Sequence, residues 1–146
     1  MILISEKING QFLSVSKAIE NRDTRALQEI AKKQVEAGAN VLDINTGPGR
    51  KDAVEVMKWL VQTVQEVVSV SISIDTPKFE VMKAGLEVCK NKVWVNSTTA
   101  EAQKMERLFP LAKQYDANII CLTLDQDGIP SEPTKRAELA MILLST

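Results

Sequence analysis

The sequence predicts an α/β protein of the (β/α) TIM-barrel type, in which parallel strands alternate with helices. Three observations predict it. Short apolar runs of strand length alternate five times with longer stretches whose apolar residues recur at helical spacing. Strands separated by helices of that length form a parallel sheet with right-handed crossovers. Each short run also ends, at its C-terminal side, in polar residues of one parity. An open doubly wound sheet gathers its polar site at one switch point, whereas a barrel collects side chains from every strand at one mouth.

The elements follow in order. Ile2–Glu6 is a short apolar strand, and Lys7-Ile8-Asn9-Gly10 a polar loop. The helical region after it carries Ala26, Leu27, Ile30, Ala31, Gln34 and Val35 at helical spacing, with Asp23 as N-cap and Gly38 as the residue that ends it. Val41–Asn45 is the second strand, followed by the tight turn Gly47-Pro48-Gly49. A helix from Lys51 to Val67 places Val54, Met57, Leu60, Val61 and Val64 on one side. Ser69–Asp75 is the third strand; Thr76 is read as the cap of the next helix, with Pro77 in its first turn, where a missing N–H is tolerated. Lys92–Asn96 is the fourth strand. Thr98 and Glu101 have capping-box spacing, and the helix after them carries Met105, Leu108, Phe109 and Ala112, with a possible bend at Pro110. Asn118–Leu124 is the fifth strand, and a last helix starts near Thr134.

Composition narrows the function. The chain has 146 residues, 45% hydrophobic and 25% charged, with a formal charge of −1. That suits one domain with a substantial core. Acidic and basic residues are interleaved, so there is no basic surface to support a nucleic-acid reading. No apolar run approaches the roughly 18–20 residues of a membrane span. The N-terminal residues lack the basic segment and cleavage site of a signal peptide, which predicts a cytoplasmic protein. Cys89 and Cys121 are far apart in apolar segments, and read as two buried, reduced thiols. There is no histidine. Chemistry therefore falls to carboxylates, amides, hydroxyls or a bound cofactor.

Strand alternation sorts the polar residues. Asp75 shares a face with Ser73 and Ser71, Asn96 with Trp94, Asp43 and Asn45 with Val41, and Glu6 with Ile4. Thr123 and Asp125 share a face with Cys121. The small Ser71 and Ser73 can sit level with the large Trp94, as the layers of a barrel interior require. Each polar residue has a plainer reading: Asp75 could cap a helix, Asn96-Ser97-Thr98 could be only a turn and cap, and Asp43, Asn45, Glu6 and Asn9 could satisfy loop amides. Together they suggest a ligand rich in donors and acceptors. A carboxylate flanked by amides suits a flat heterocycle bearing N–H groups. It does not suit a phosphate, and no GxGxxG or P-loop occurs. No metal site is expected. Asp43, Asp75 and Asp125 lie on separate strands, and Asp125-Gln126-Asp127-Gly128 reads as a turn.

A full barrel has eight units. Five are present, so the expectation is a truncated barrel, with two exposed strand edges that pairing between chains could cover.

The stretches "ISEKING", "EAGANVLDINTGPG", "LVQTVQEVVSVSISIDT", "GLEVCKNKVWVNSTTAE" and "LFPLAKQYDANIICLT" together resemble the pterin-binding methyltransferases, above all those that act between methyltetrahydrofolate and a corrinoid/iron–sulfur protein. "LDIN" alone also resembles dihydropteroate synthases and the folate modules of methionine synthases. The resemblance runs along the whole chain and corresponds to the N-terminal part of the family's TIM-barrel domain, residues 1–146 here. It implies that Asp75 and Asn96 hydrogen-bond the pterin ring and are the catalytic pair, with Asn9, Asp43, Asn45 and Ser97 as further pterin-binding residues. It implies methyltetrahydrofolate or tetrahydrofolate as substrate, a corrinoid carried by a partner protein, and a homodimer. The family also uses an Asp and an Asn from later strands, which lie beyond Thr146. Two other readings stay open. One is a dihydropteroate synthase-like pterin enzyme. The other is a non-catalytic chain that binds folate or only assembles.

Overall fold

The computed structural model describes all residues from Met1 to Thr146. Five parallel strands form one sheet in sequential order, β1 (Ile4–Asn9), β2 (Val41–Asn45), β3 (Ser71–Asp75), β4 (Val93–Thr99) and β5 (Asn118–Leu122). Helices α1 (Leu13–Glu20) and α2 (Thr24–Glu36) follow β1; α3 (Ala53–Gln65), α4 (Phe79–Val88), α5 (Ala102–Gln114) and α6 (Pro133–Ser145) follow β2 to β5 in turn. The sheet is not closed: β1 and β5 each pair on one side only.

Sequential strand order with the helices packed on one face is the barrel pattern rather than the doubly wound one. A single cluster of 24 buried residues joins Ile8, Leu42, Ile44, Ile72, Ile74, Val93 and Val95 to residues of α1 through α5. These strand residues all point to the helix layer. Val41, Asp43, Ser71, Ser73, Asp75, Trp94 and Asn96 have the opposite parity and face what would be a barrel interior. Asp43 stands level with Ser73, and Ser73 with Trp94, so the small and large side chains share a layer as the sequence suggested.

The local signals act where the chemistry allows. Asp23 caps α2 by accepting from Ala26 N at 3.0 Å. Gly38, at φ +98°, ends α2 with Gly38 N donating to Val35 O and Ala39 N to Gln34 O, the paired bonds of a Schellman motif. Gly10 and Gly47 let two loops touch at the C-terminal ends of β1 and β2. A Cβ on Gly10 would lie 2.3 Å from Thr46 O, and one on Gly47 2.9 Å from Gly10 C.

Several boundaries differ from the sequence reading. β1 runs on to Asn9, where a loop from Lys7 was expected, because a bulge between Ser5 and Ile8 carries pairing past the polar Glu6-Lys7. The bulge also turns Ile8 into the core and brings Asn9 level with Asn45. β4 likewise extends to Thr99, with a bulge between Asn96 and Thr98 and a cis Asn96–Ser97 peptide. Thr98 is thus a buried strand residue and forms no capping box; the N-cap of α5 is Glu101, whose N–H donates to Thr99 Oγ1. Thr76 does not cap α4 either. Its hydroxyl accepts from Lys78 N in a turn ahead of the helix. β5 ends at Leu122, and Cys121 stands level with Thr98, on the parity of Ile119, which packs against the helix-side core. The expected row of Cys121, Thr123 and Asp125 on the interior face therefore does not form. Asp125 instead closes a turn with Gly128. The two thiols are not buried as expected: Cys89 is half-buried and Cys121 exposed. α5 continues through Pro110 from Ala102 to Gln114. No helix is long and apolar enough to cross a membrane.

Candidate functional site

The C-terminal ends of β2, β3 and β4 build a two-tier polar site. The upper tier is Asp75 and Asn96, which stand level on adjacent strands and line a cleft of about 420 Å³ with Ser97 and Thr99. The lower tier is Asp43 on β2 and Ser73 on β3, which stand level; Asn45, two residues past Asp43, stands beside Asp75. Asp43 is 2% exposed. Its Oδ1 accepts from Ser73 Oγ at 2.6 Å and from Asn96 Nδ2 at 3.0 Å. Asn45 Oδ1 accepts from Gly47 N at 2.7 Å, which leaves its Nδ2 to donate to Asp75 Oδ2 at 2.7 Å.

These bonds decide what the upper tier shows to the cleft. The Asn96 amide is turned so that its NH₂ points down to Asp43. Its carbonyl Oδ1 then has no protein partner. The Asp75 carboxylate is held through Oδ2, which leaves Oδ1 without one. No buried side-chain polar atom lacks a partner, so both free oxygens are open to solvent. The site presents two fixed acceptors, one charged and one neutral, to a ligand that must bring donors.

The electrostatics agree with this arrangement. Burial pushes the Asp43 carboxyl up to about 6, against the lowering effect of its bonds from Ser73 and Asn96 and with help from the charges of Asp75 and Glu6. At neutral pH Asp43 is thus a carboxylate that the fold tolerates at a cost. Its hold on Ser73 and Asn96 is charge-assisted.

Of the six residues singled out in the sequence, Asp75, Asn96 and Ser97 line the cleft. Asp43 and Asn45 lie beneath or beside it and act on it through Asn96 and Asp75. Asn9 is level with Asn45 but spends its Oδ1 on Gln11 N within its own loop. The charged and aromatic residues of the helix-side cleft wall were not among the site residues read from the sequence. Phe79, at the start of α4, carries the Arg107 guanidinium 4.2 Å from its ring centroid. Glu101 and Lys104 pair at 2.6 Å on the cleft wall. Their helical positions gave no strand-end signal; only the proximity of β3–α4 and β4–α5 loops in a sequential sheet could have found them. No group of three or more His, Cys, Asp or Glu side chains is gathered to hold a metal.

Comparison with known proteins bears on this geometry. Residues 9–141 match the family described as pterin binding enzyme. The chain is 37% identical over 146 residues to a methylcorrinoid:tetrahydrofolate methyltransferase of Eubacterium limosum, covering 99% of this chain and 54% of that protein. It is 26% identical over 151 residues to a methionine synthase of Mycobacterium leprae (strain TN), covering 99% of this chain and 12% of that protein. The chain thus spans about half the length of the first relative and a small part of the second. A family match over most of the chain, on a barrel-type sheet whose strand ends converge on fixed acceptors, makes the assignment: the chain belongs to the pterin-binding enzyme family.

Proposed function

We propose that this chain forms the pterin-holding part of a methyltransferase that works between N5 of tetrahydrofolate and the cobalt of a corrinoid carried by a partner protein. The observation that carries the reading is the acceptor pair, Asp75 Oδ1 and Asn96 Oδ1, each locked from behind and open in front. A pterin edge offers N–H and NH₂ donors in a plane, the complement of that pair. The Eubacterium limosum relative is named for transfer from a methylcorrinoid to tetrahydrofolate. Carried over, that name supports this pair of reactants. Residues 1–146 are then the N-terminal part of a longer barrel domain, with a corrinoid protein and a second copy of the chain as partners.

The chemistry follows from what these side chains can do. In transfer from methyltetrahydrofolate, the N5–CH₃ bond breaks and its electron pair stays on nitrogen. A tertiary amine leaves well only if N5 is protonated or hydrogen-bonded. The corrinoid supplies the reaction partner that gives or accepts the methyl group. Asp75, anionic beside the ring, orients it and favours the protonated form by charge. Asn96 fixes the ring's position in its plane. A network that strengthens as N5 gains electron density lowers the barrier more than it tightens substrate binding. In the reverse direction the same contacts hold the neutral acceptor in place.

Calorimetric titration with tetrahydrofolate and methyltetrahydrofolate tests this reading. Asp75→Ala and Asn96→Ala should each weaken binding by about 1–3 kcal/mol, the size of a lost hydrogen bond to a polar or charged group. Equal affinity in wild type and both variants would remove the site from consideration.

A further inference from the structure

A second cleft, of about 410 Å³, adjoins the first and shares two residues with it, Phe79 and Arg107. Its charged lining is one-sided. Arg50, Lys51, Lys78 and Arg107 face a single carboxylate, Glu80. Arg50 is held by Asp52 through two bonds, Nε to Oδ1 at 3.0 Å and Nη2 to Oδ2 at 2.8 Å. The other three cations form no ion pair. In a chain of net charge −1, with its charges otherwise interleaved, this is a local excess of positive charge. The first turns of α3 and α4 line the same cleft and add potential of the same sign. The first cleft is different in character: it holds Asp75, and its Lys104 is paired with Glu101.

We propose that the second cleft binds the glutamate tail of a polyglutamylated folate whose pterin ring sits at Asp75 and Asn96. The inference rests on the pterin reading above and gives that substrate a second half. A folate is a flat donor-rich ring joined through an aromatic spacer to a chain of carboxylates. The two adjoining clefts have that order of properties. Acceptors for ring donors come first. The Phe79–Arg107 stack then offers a flat junction for the spacer. The unpaired cations Lys51, Lys78 and Arg107 follow. Each added glutamate brings a carboxylate to the cations at a high effective concentration, so affinity should rise with tail length. It should also fall with salt, because the cations are exposed.

Binding of three probes to the whole protein tests the inference: a tetrahydropterin without a tail, tetrahydrofolate monoglutamate and tetrahydrofolate pentaglutamate. The pentaglutamate is expected to bind at least tenfold tighter than the monoglutamate at low salt, with the gain shrinking as salt rises. In a Lys51→Ala/Lys78→Ala double variant that gain should fall to less than threefold, while affinity for the tail-less pterin stays within twofold. Arg107→Gln should act in the same direction. Equal affinity for the monoglutamate and pentaglutamate, or a gain that survives in the double variant, would overturn the tail site. Pentaglutamate binding that weakens in the double variant but has the same affinity in wild type and Asp75→Ala would keep the cleft and overturn the pterin reading. Binding of the tail-less pterin that Asp75→Ala abolishes, with no gain from the tail, would do the reverse.

Discussion

Replacing Asp43 by Asn should make stability respond differently to pH, and the size of the effect follows from the fold. Asp43 is almost fully buried, and its carboxyl is raised from 3.8 to about 6, chiefly by desolvation. Between those values the folded chain binds more protons at this site than the unfolded chain. Stability therefore falls as pH rises through that window and levels off above it. At about 1.4 kcal/mol per unit, the Asp43 carboxylate costs the fold roughly 3 kcal/mol at pH 7 relative to pH 3.5. An Asn side chain keeps an Oδ1 to accept from Ser73 and Asn96 but does not titrate. Its NH₂ takes the place of Oδ2, which has no protein partner and is not sealed from water.

The measurement is urea unfolding of wild type and Asp43→Asn at several pH values from 3.5 to 8. The difference in unfolding free energy should move in favour of the variant by about 2 kcal/mol between pH 4 and 7, whatever constant offset the substitution adds. Other groups titrate the opposite way. Asp52, Glu101 and Asp116 are held below the usual carboxylate range by hydrogen bonds from Arg50, Lys104 and Lys92. Their loss at acid pH affects both proteins alike and cancels in the difference. Parallel curves across the window would refute the reasoning: Asp43 would then be no better protonated in the fold than in the open chain.

Three further substitutions probe the same frame. Asn45→Ala removes the donor to Asp75 Oδ2 and the acceptor for Gly47 N; titration should show pterin affinity reduced about 5–30-fold, with roughly 1–2 kcal/mol lost in urea unfolding. Gly10→Ala places a methyl 2.3 Å from Thr46 O, so the two loops must part; unfolding should register about 1–3 kcal/mol of destabilisation, and an unchanged midpoint would contradict the close approach. Gln34→Ala strips the buried acceptor shared by Ser5 Oγ and Lys7 N; about 1–3 kcal/mol should be lost, with pterin affinity little changed because α2 lies on the helix side of the sheet.

The fold was legible because parallel β-α units write two periods into the chain. Val41–Asn45 is a strand in both readings, and Asp23 and Gly38 bound α2 as their chemistry dictates. Bulges were not legible. Nothing local in Glu6-Lys7 or Asn96-Ser97 announces that pairing resumes beyond it, because the cause is register with the neighbouring strand. The same blindness hid the false capping box at Thr98, whose spacing is right and whose backbone is extended. In the site, strand parity found Asp43, Asn45, Asp75 and Asn96. It could not tell which of them face a ligand and which hold the others. That division depends on hydrogen-bond direction, which needs coordinates. The cleft walls contributed by α4 and α5 carry no strand parity and so left no trace.

The direction of support within the site has a consequence for where sensitivity should lie. β2 faces the cleft with none of its side chains, yet it fixes the two acceptors there: Asp43 holds Asn96 and Asn45 holds Asp75. Ser73 on β3 completes the lower tier by donating to Asp43. The acceptor pair is therefore preorganised by one strand acting across its neighbours, and the preorganisation is bought with a buried charge that destabilises the fold. Natural chains shed such a cost where nothing opposes it. A variant such as Asp43→Asn should thus gain stability over the wild type as pH rises from 4 to 7 and still bind less tightly. Its neutral carbonyl holds the Asn96 amide less firmly than a carboxylate does. Gain of stability with loss of affinity in one protein is the signature of a residue kept for positioning. Gain of both would mean that Asp43 serves neither the fold nor the cleft.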